Sequence, residues 1–150
     1  SFVCNAAYIY SRVRFEEGAP ERDRPLAGQS PYLVNAGFFY QYDDKGISAS
    51  LLYNRIGKRI ESVGVPMQNQ NEDIPDIYEM PRNSLDLTFS KKIGKIVEIK
   101  AGIQDMLNSK VEYKQFVKLT DDKGGKSERE QLIRSYRPGV DINIGVSLRF

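Results

Sequence analysis

The side chains best suited to chemistry are few in this chain, and their spacing does not favour catalysis. Its 150 residues include no histidine and a single cysteine, Cys4. The commonest general acid–base group and metal ligand is therefore missing, and no intrachain disulfide can form. Four carboxylate pairs are adjacent in sequence: Glu16/Glu17, Asp43/Asp44, Glu72/Asp73 and Asp121/Asp122. A retaining glycosidase needs two carboxyl groups about 5–5.5 Å apart in one site. Neighbouring acids on a strand point to opposite faces, and three of these pairs fall in polar, loop-like sequence, so solvated loop charge accounts for them better. The acidic stretch NQNEDIPDIYE (Asn69 to Glu79) offers oxygen ligands for a hard cation but not the spacing of an EF-hand. DDKGGK (Asp121 to Lys126) lacks the Gly-x-x-x-x-Gly-Lys of a phosphate loop and reads as a flexible tip. Cys4 reads as a small apolar filler. The expectation is a protein that is not an enzyme and has no cofactor and no metal site.

Recognition chemistry is better represented. Tyr78, Met80, Tyr113, Phe116 and Tyr136 lie in otherwise polar stretches, where flat or soft apolar groups can contact a ligand. Packing of those stretches on one another explains the same residues equally well. Arg55, Lys58 and Arg59 cluster where an apolar segment ends. They suit either contact with phosphate groups or a simple boundary with water. The net charge is +2, from 22 basic and 20 acidic residues, and no basic block interleaved with aromatics marks a nucleic-acid module. No nucleic-acid partner is expected.

The elements that must carry these residues have a period of two. In GVDINIGVSLRF (Gly139 to Phe150), Val140, Ile142, Ile144, Val146, Leu148 and Phe150 alternate with polar or small residues. Leu85, Leu87 and Phe89 alternate with Asp86, Thr88 and Ser90, and Val97, Ile99, Ala101 and Ile103 with Glu98, Lys100, Gly102 and Gln104. Tyr32 to Tyr42 and Ile47 to Asn54 repeat the pattern, and Phe2 to Tyr10 follows it less cleanly. This predicts six antiparallel strands and no helix.

The connections alternate in length. Turns near Asp43–Gly46 and Lys92–Lys95 are tight, whereas Glu16 to Ser30, about Lys58 to Arg82 and about Asn108 to Arg137 are long and polar. Strict short–long alternation puts the tight turns at one end of a sheet and the long loops at the other, as in transmembrane β-barrels. A strand of about 11 residues rising ~3.3 Å each and tilted ~45° climbs on the order of 25 Å, the height of such a barrel's apolar band. Tyr32, Tyr42, Tyr53 and Phe150 fall near the rims, where amphipathic rings prefer to sit. The mid-strand charges Asp86, Glu98, Lys100 and Asp141 all occupy the polar row, and a one-residue slip would expose all four on the apolar side. Val140, Ile142, Ile144, Val146 and Leu148 are therefore expected to face lipid. Mean hydropathy is −0.50 and no run approaches the ~18 apolar residues of a spanning helix, which is silent on barrel strands. A soluble all-β binding or adhesion module gives the same stripe with the apolar row in a core; it predicts roughly equal loops at both ends. A small porin-like barrel built from several copies is a third reading.

RPLAGQSPYLVNAGFFYQ (Arg24 to Gln41), GIQDMLNSKVEY (Gly102 to Tyr113) and the closing VSLRF resemble the C-terminal part of TonB-dependent outer-membrane receptors. Met106 and Leu107 depart from the Leu-Phe usual at that place in the family. The resemblance covers nearly the whole chain, 1–150, and is weakest in the long loops. It implies the last six strands of a 22-stranded, plugged barrel in the bacterial outer membrane. It also implies energised uptake of a scarce nutrient such as a siderophore, cobalamin, glycan or peptide. The implied partners are outer-membrane lipid, the remaining barrel strands and plug domain, TonB through that plug, and in some systems a surface lipoprotein. Phe150 resembles the terminal aromatic read by the barrel-assembly machinery. SFVCNAAYIY shows no signal peptide and starts as though mid-strand, so the chain is expected to be part of something longer. Six strands are too few to close a membrane barrel alone.

Overall fold

The computed structural model describes residues 1–14, 23–65, 74–94, 96–120 and 125–148. Phe150 lies outside them, as do the pairs Glu16/Glu17, Glu72/Asp73 and Asp121/Asp122. The described chain is all-β, apart from one turn of 3₁₀ helix.

The six alternating segments form one antiparallel sheet, the wall. Its strands are β1 (Phe2–Tyr8), β2 (Tyr32–Tyr42), β3 (Ile47–Ile56), β6 (Arg82–Ile93), β7 (Val97–Gln104) and β10 (Asp141–Leu148). They lie side by side in that order. Each pairs with the next of the set in sequence, the simplest way to satisfy backbone groups between consecutive extended segments.

Both tight turns have a local cause. Asp43–Lys45 make a 3₁₀ turn closed by the Gly46 N–H on the Asp43 carbonyl at 2.9 Å. Gly46 sits in the left-handed region (φ 57°, ψ 39°), where a side chain costs roughly 1–2 kcal/mol. A Cβ there would also lie 2.9 Å from that of Lys92. Gly94, with φ 61°, ends β6 in the same conformation.

Register decides the faces, because residues paired across antiparallel strands point the same way. One face reads Phe2, Cys4 and Ala6; Val34, Ala36, Phe38 and Tyr40; Ala49 and Leu51; Leu85, Leu87 and Phe89; Ile99, Ala101 and Ile103; and Ile142, Ile144, Val146 and Leu148. It carries no charged residue until Arg55 at one rim and Lys91 at the other. Cys4 sits in this row opposite Ala36, and is exposed. The opposite face carries Ser48, Ser50, Thr88, Ser90, Asn143, Asp86, Glu98 and Lys100, with Val3, Ala7, Leu33, Phe39, Leu52 and Ile56 as apolar exceptions.

The wall is hollowed on its polar side. A cavity of about 400 Å³ crosses five strands there, lined by Phe39, Ser48, Ser50, Thr88, Lys100 and Asn143 among others. Cross-strand hydrogen bonds between Ser48 and Ser90 (2.7 Å) and between Ser50 and Thr88 stitch its floor. The apolar side is left uncovered: Ile142, Ile144, Val146 and Leu148 are 57–75 % exposed.

The two later long connections are not structureless, which corrects the expectation of six strands joined by loops. β4 (Arg59–Ser62), β5 (Ile77–Glu79), β8 (Val111–Thr120) and β9 (Lys126–Tyr136) form a second antiparallel sheet in the order β4-β5-β8-β9. Each of these strands follows or precedes a wall strand, and the order repeats β3-β6-β7-β10. The long connections are thus arms, the two hairpins of the wall continued past a break. Charged and polar residues on both arm faces dilute the alternation that marks the wall, so periodicity alone does not find these strands.

Buried apolar side chains among the described residues are Ile60, Val111 and Tyr113, all at the base of the arms. The whole chain exposes 11089 Å², against about 7,800 Å² for a compact protein of its 17.1 kDa by surface–mass scaling.

Candidate functional site

The break between wall and arms is built by residues that leave the ladder. Beyond β3, Gly57 donates to the Tyr32 carbonyl at 3.1 Å and passes so close to the Tyr32 ring that a Cβ would lie 2.7 Å from it. Beyond β7, Asp105 and Asn108 both take positive φ (50° and 43°), a conformation short polar side chains tolerate best. The Asp105 N–H donates to Asp86 Oδ1 at 2.8 Å and the Met106 N–H to the Leu85 carbonyl at 2.8 Å. Asn108 then holds the return chain: its Oδ1 accepts from the Gly139 N–H at 3.0 Å and its carbonyl from Arg137 at 2.7 Å. The DMLN segment is therefore a corner that ties β7 to β6 and to the start of β10.

Above this corner the arm strands sort the recognition residues onto two faces. On one, the Lys58 ammonium lies 4.0 Å from the Tyr78 ring centre and 3.8 Å from that of Phe116. The two rings meet edge to face at 5.8 Å. Such a cation held by the negative faces of two rings gains about 0.5–2 kcal/mol. Burial lowers the Lys58 pKa below the ordinary lysine value, and the nearby acids Glu128 and Glu130 offset part of that. Burial likewise raises the Tyr78 hydroxyl, helped by Asp76, whose carboxylate it meets at 3.4 Å.

On the other face Tyr113 and Tyr136 stack at 6.5 Å with 18° between their planes, and the Arg134 guanidinium caps Tyr113 at 4.2 Å. Tyr113 is only 7 % exposed, so it packs rather than presents a surface, and burial raises its hydroxyl's pKa. Arg59 and Glu79 lie on this side, joined by two hydrogen bonds of 2.8 and 2.6 Å. Met80 uses its N–H on the Glu112 carbonyl at 2.9 Å, where β5 turns towards β6.

The five residues singled out for ligand contact thus do not converge. Tyr78 and Phe116 share one face, Tyr113 and Tyr136 the other, and Met80 sits at the break. Sequence reading missed that Lys58 bridges the first pair and Arg134 caps the second. Its only signal was the alternation of aromatic and basic residues within the arms. Arg55 remains at the rim of the wall, where its guanidinium and the Tyr53 hydroxyl both donate to Asn83 Oδ1, at 3.1 and 2.9 Å. Asp43 and Asp44 lie in the tight turn, Asp43 accepting from Gln41 at 2.7 Å. Among the described residues no three of His, Cys, Asp and Glu come together as a metal-binding group.

No family model, curated protein or solved structure matches this chain.

Proposed function

We propose that this chain forms part of the wall and the extracellular arms of a bacterial outer-membrane transporter of the TonB-dependent kind, engaged in energised nutrient uptake. The observation that carries this reading is the pairing of an uncovered, charge-free apolar face with a concave polar one. A sheet closing round a soluble core is concave on its apolar side, with polar residues outward; a porous membrane barrel has apolar residues outward and a polar lumen. The asymmetry of the ends supports it too, with two tight turns at one rim and two ordered arms at the other. Lys91 and Arg55 stand at opposite rims, each outside the apolar band.

On this reading the chain contacts outer-membrane lipid along β1, β2, β3, β6, β7 and β10. Further strands of the same receptor cover the two free edges. A plug that couples to TonB occupies the lumen, and the arms meet the nutrient, with or without a surface lipoprotein. Phe150 serves as the assembly signal.

The test is expression of the complete polypeptide that contains this chain, in a Gram-negative host. It should fractionate with outer membranes, resist carbonate extraction and require detergent for monodisperse solution. Folded protein recovered from the soluble fraction without detergent would favour the soluble binding module and overturn the proposal.

A further inference from the structure

Arg55 breaks the pattern of its own strand. It follows Ile47, Ala49, Leu51 and Tyr53 in the row of β3 that faces the apolar side, and its partners Val34 on β2 and Asn83 on β6 point the same way. Rings frame it on that face. Tyr8 pairs with Tyr32 one step nearer the arms, and Tyr53 with Ala36 one step nearer the middle of the wall. Asn83 Oδ1 gathers the cluster, accepting from the Arg55 guanidinium at 3.1 Å and from the Tyr53 hydroxyl at 2.9 Å. The Tyr32 hydroxyl meets the same guanidinium.

The cluster holds a cation that no carboxylate answers. Its partners are two phenols and an amide, and among the described residues no acid pairs with Arg55. Other cations at this end of the wall are matched. Arg59 is bound to Glu79 at 2.6 Å, and Arg82, opposite Ile56 on the polar face, reaches Asp105 at 3.8 Å. A guanidinium carries five N–H donors in a planar fork, which suits phosphate oxygens taken two at a time. Height fits as well. Lys91, the cation at the opposite rim, pairs with Ile47, eight residues before Arg55. Eight residues at ~3.3 Å each, tilted ~40°, climb about 20 Å, slightly less than the apolar belt of a membrane barrel. A long side chain reaching outward then puts its head at the level of lipid phosphates.

We propose that Arg55 binds a phosphate of a phosphorylated glycolipid in the outer leaflet. Tyr8 and Tyr32 lie against its sugar, and its acyl chains run down the apolar face over Ala36, Phe38 and Leu51. The inference rests on the outer-membrane reading and adds to it a headgroup site on the arm side of the wall. Free phosphate would meet the same guanidinium, but only a lipid also gains the apolar face below it.

The test uses the complete polypeptide in non-ionic detergent, titrated with diphosphoryl lipid A and with its phosphate-free analogue, with retained lipid counted by native mass spectrometry. Wild type should retain the phosphorylated form at about a tenth of the concentration that the analogue needs, the scale of one charge-assisted hydrogen bond. Arg55→Gln should bring the two lipids together, whereas Lys91→Gln should behave as wild type. Inorganic phosphate equimolar with the lipid should not displace it. Equal retention of the two lipids by wild type, an equal loss in Lys91→Gln, or displacement by inorganic phosphate would overturn the site. The wild-type comparison needs no variant to fold. Wild type that folds without detergent would overturn the outer-membrane reading itself, whereas equal retention by protein that fractionates with outer membranes would overturn this site alone.

Discussion

Glu112 shows what a single side chain can report on. Its carboxylate lies 3.1 Å from Lys110 and 3.4 Å from Lys114, and Lys114 also reaches Glu130 at 2.6 Å. The hydrogen bond from Lys110 does most to hold Glu112 below its ordinary pKa, against the opposing pull of burial, and Lys114 adds to it. A folded pKa below the unfolded value of about 4.5 means the folded arm binds fewer protons. Its contribution is therefore whole above that pH and lost as pH falls through the folded value. The protection of β8 and β9 amides, relative to their intrinsic exchange at each pH, should fall on acidification from about pH 6 to about pH 3, and Glu112→Gln should flatten the response. Lys58 makes a second residue-scale prediction. Lys58→Gln removes the cation between Tyr78 and Phe116 and should destabilise the arms by about 1 kcal/mol. Ring proton shifts of both aromatics should change, while the wall's amide spectrum stays in place.

A strand's two faces are the natural unit for testing where the sheet sits. Ile144 and Gly145 are neighbours on β10 and point opposite ways: Ile144 pairs with Ala101 on the apolar face, Gly145 with Lys100 on the polar one. In water, Ile144→Lys at a site 75 % exposed is nearly neutral, as surface changes usually are. In hydrocarbon it costs roughly 2–4 kcal/mol at the midplane. A Cβ at Gly145 meets nothing within 4 Å, so Gly145→Lys should be tolerated in either setting. Urea-titrated refolding into lipid vesicles should therefore show a large loss for Ile144→Lys and little for Gly145→Lys. Equal, small effects would place the apolar face in water. Alternation in β2, β3, β6, β7 and β10 is plain in the amino-acid order, because period two is a local property. The arm strands were not visible that way. Lys114, Glu112 and Glu130 share one side with Phe116, so polar and apolar residues mix on each face.

At the scale of the molecule, the wall ends in two open edges, β1 and β10, each hydrogen-bonded to one neighbour. Unpaired backbone groups in lipid cost several kcal/mol each, and the surface left exposed exceeds that of a compact protein of this mass by about 3,000 Å². On the proposed reading, both features are met by further polypeptide against the same sheet. If the chain is the barrel segment proposed, the outward-pointing amides of β10 in the complete polypeptide should exchange as slowly as those of β7. In the chain alone in detergent they should exchange as fast as turn amides. Slow exchange at both edges of the isolated chain would show that it closes on itself.

The order of residues by itself determined which segments are the wall strands, which of their side chains share a face and where the tight turns fall, since each depends on neighbours two to four positions apart. Only the tertiary structure decided that the long connections extend as arms, and that the loop aromatics divide between two faces. It also decided that the Gly28 N–H meets the Ile60 carbonyl of β4. Those outcomes rest on pairings between residues tens of positions apart, where a one-residue bulge such as that beside Tyr113 shifts which side chains meet. No local pattern encodes that shift.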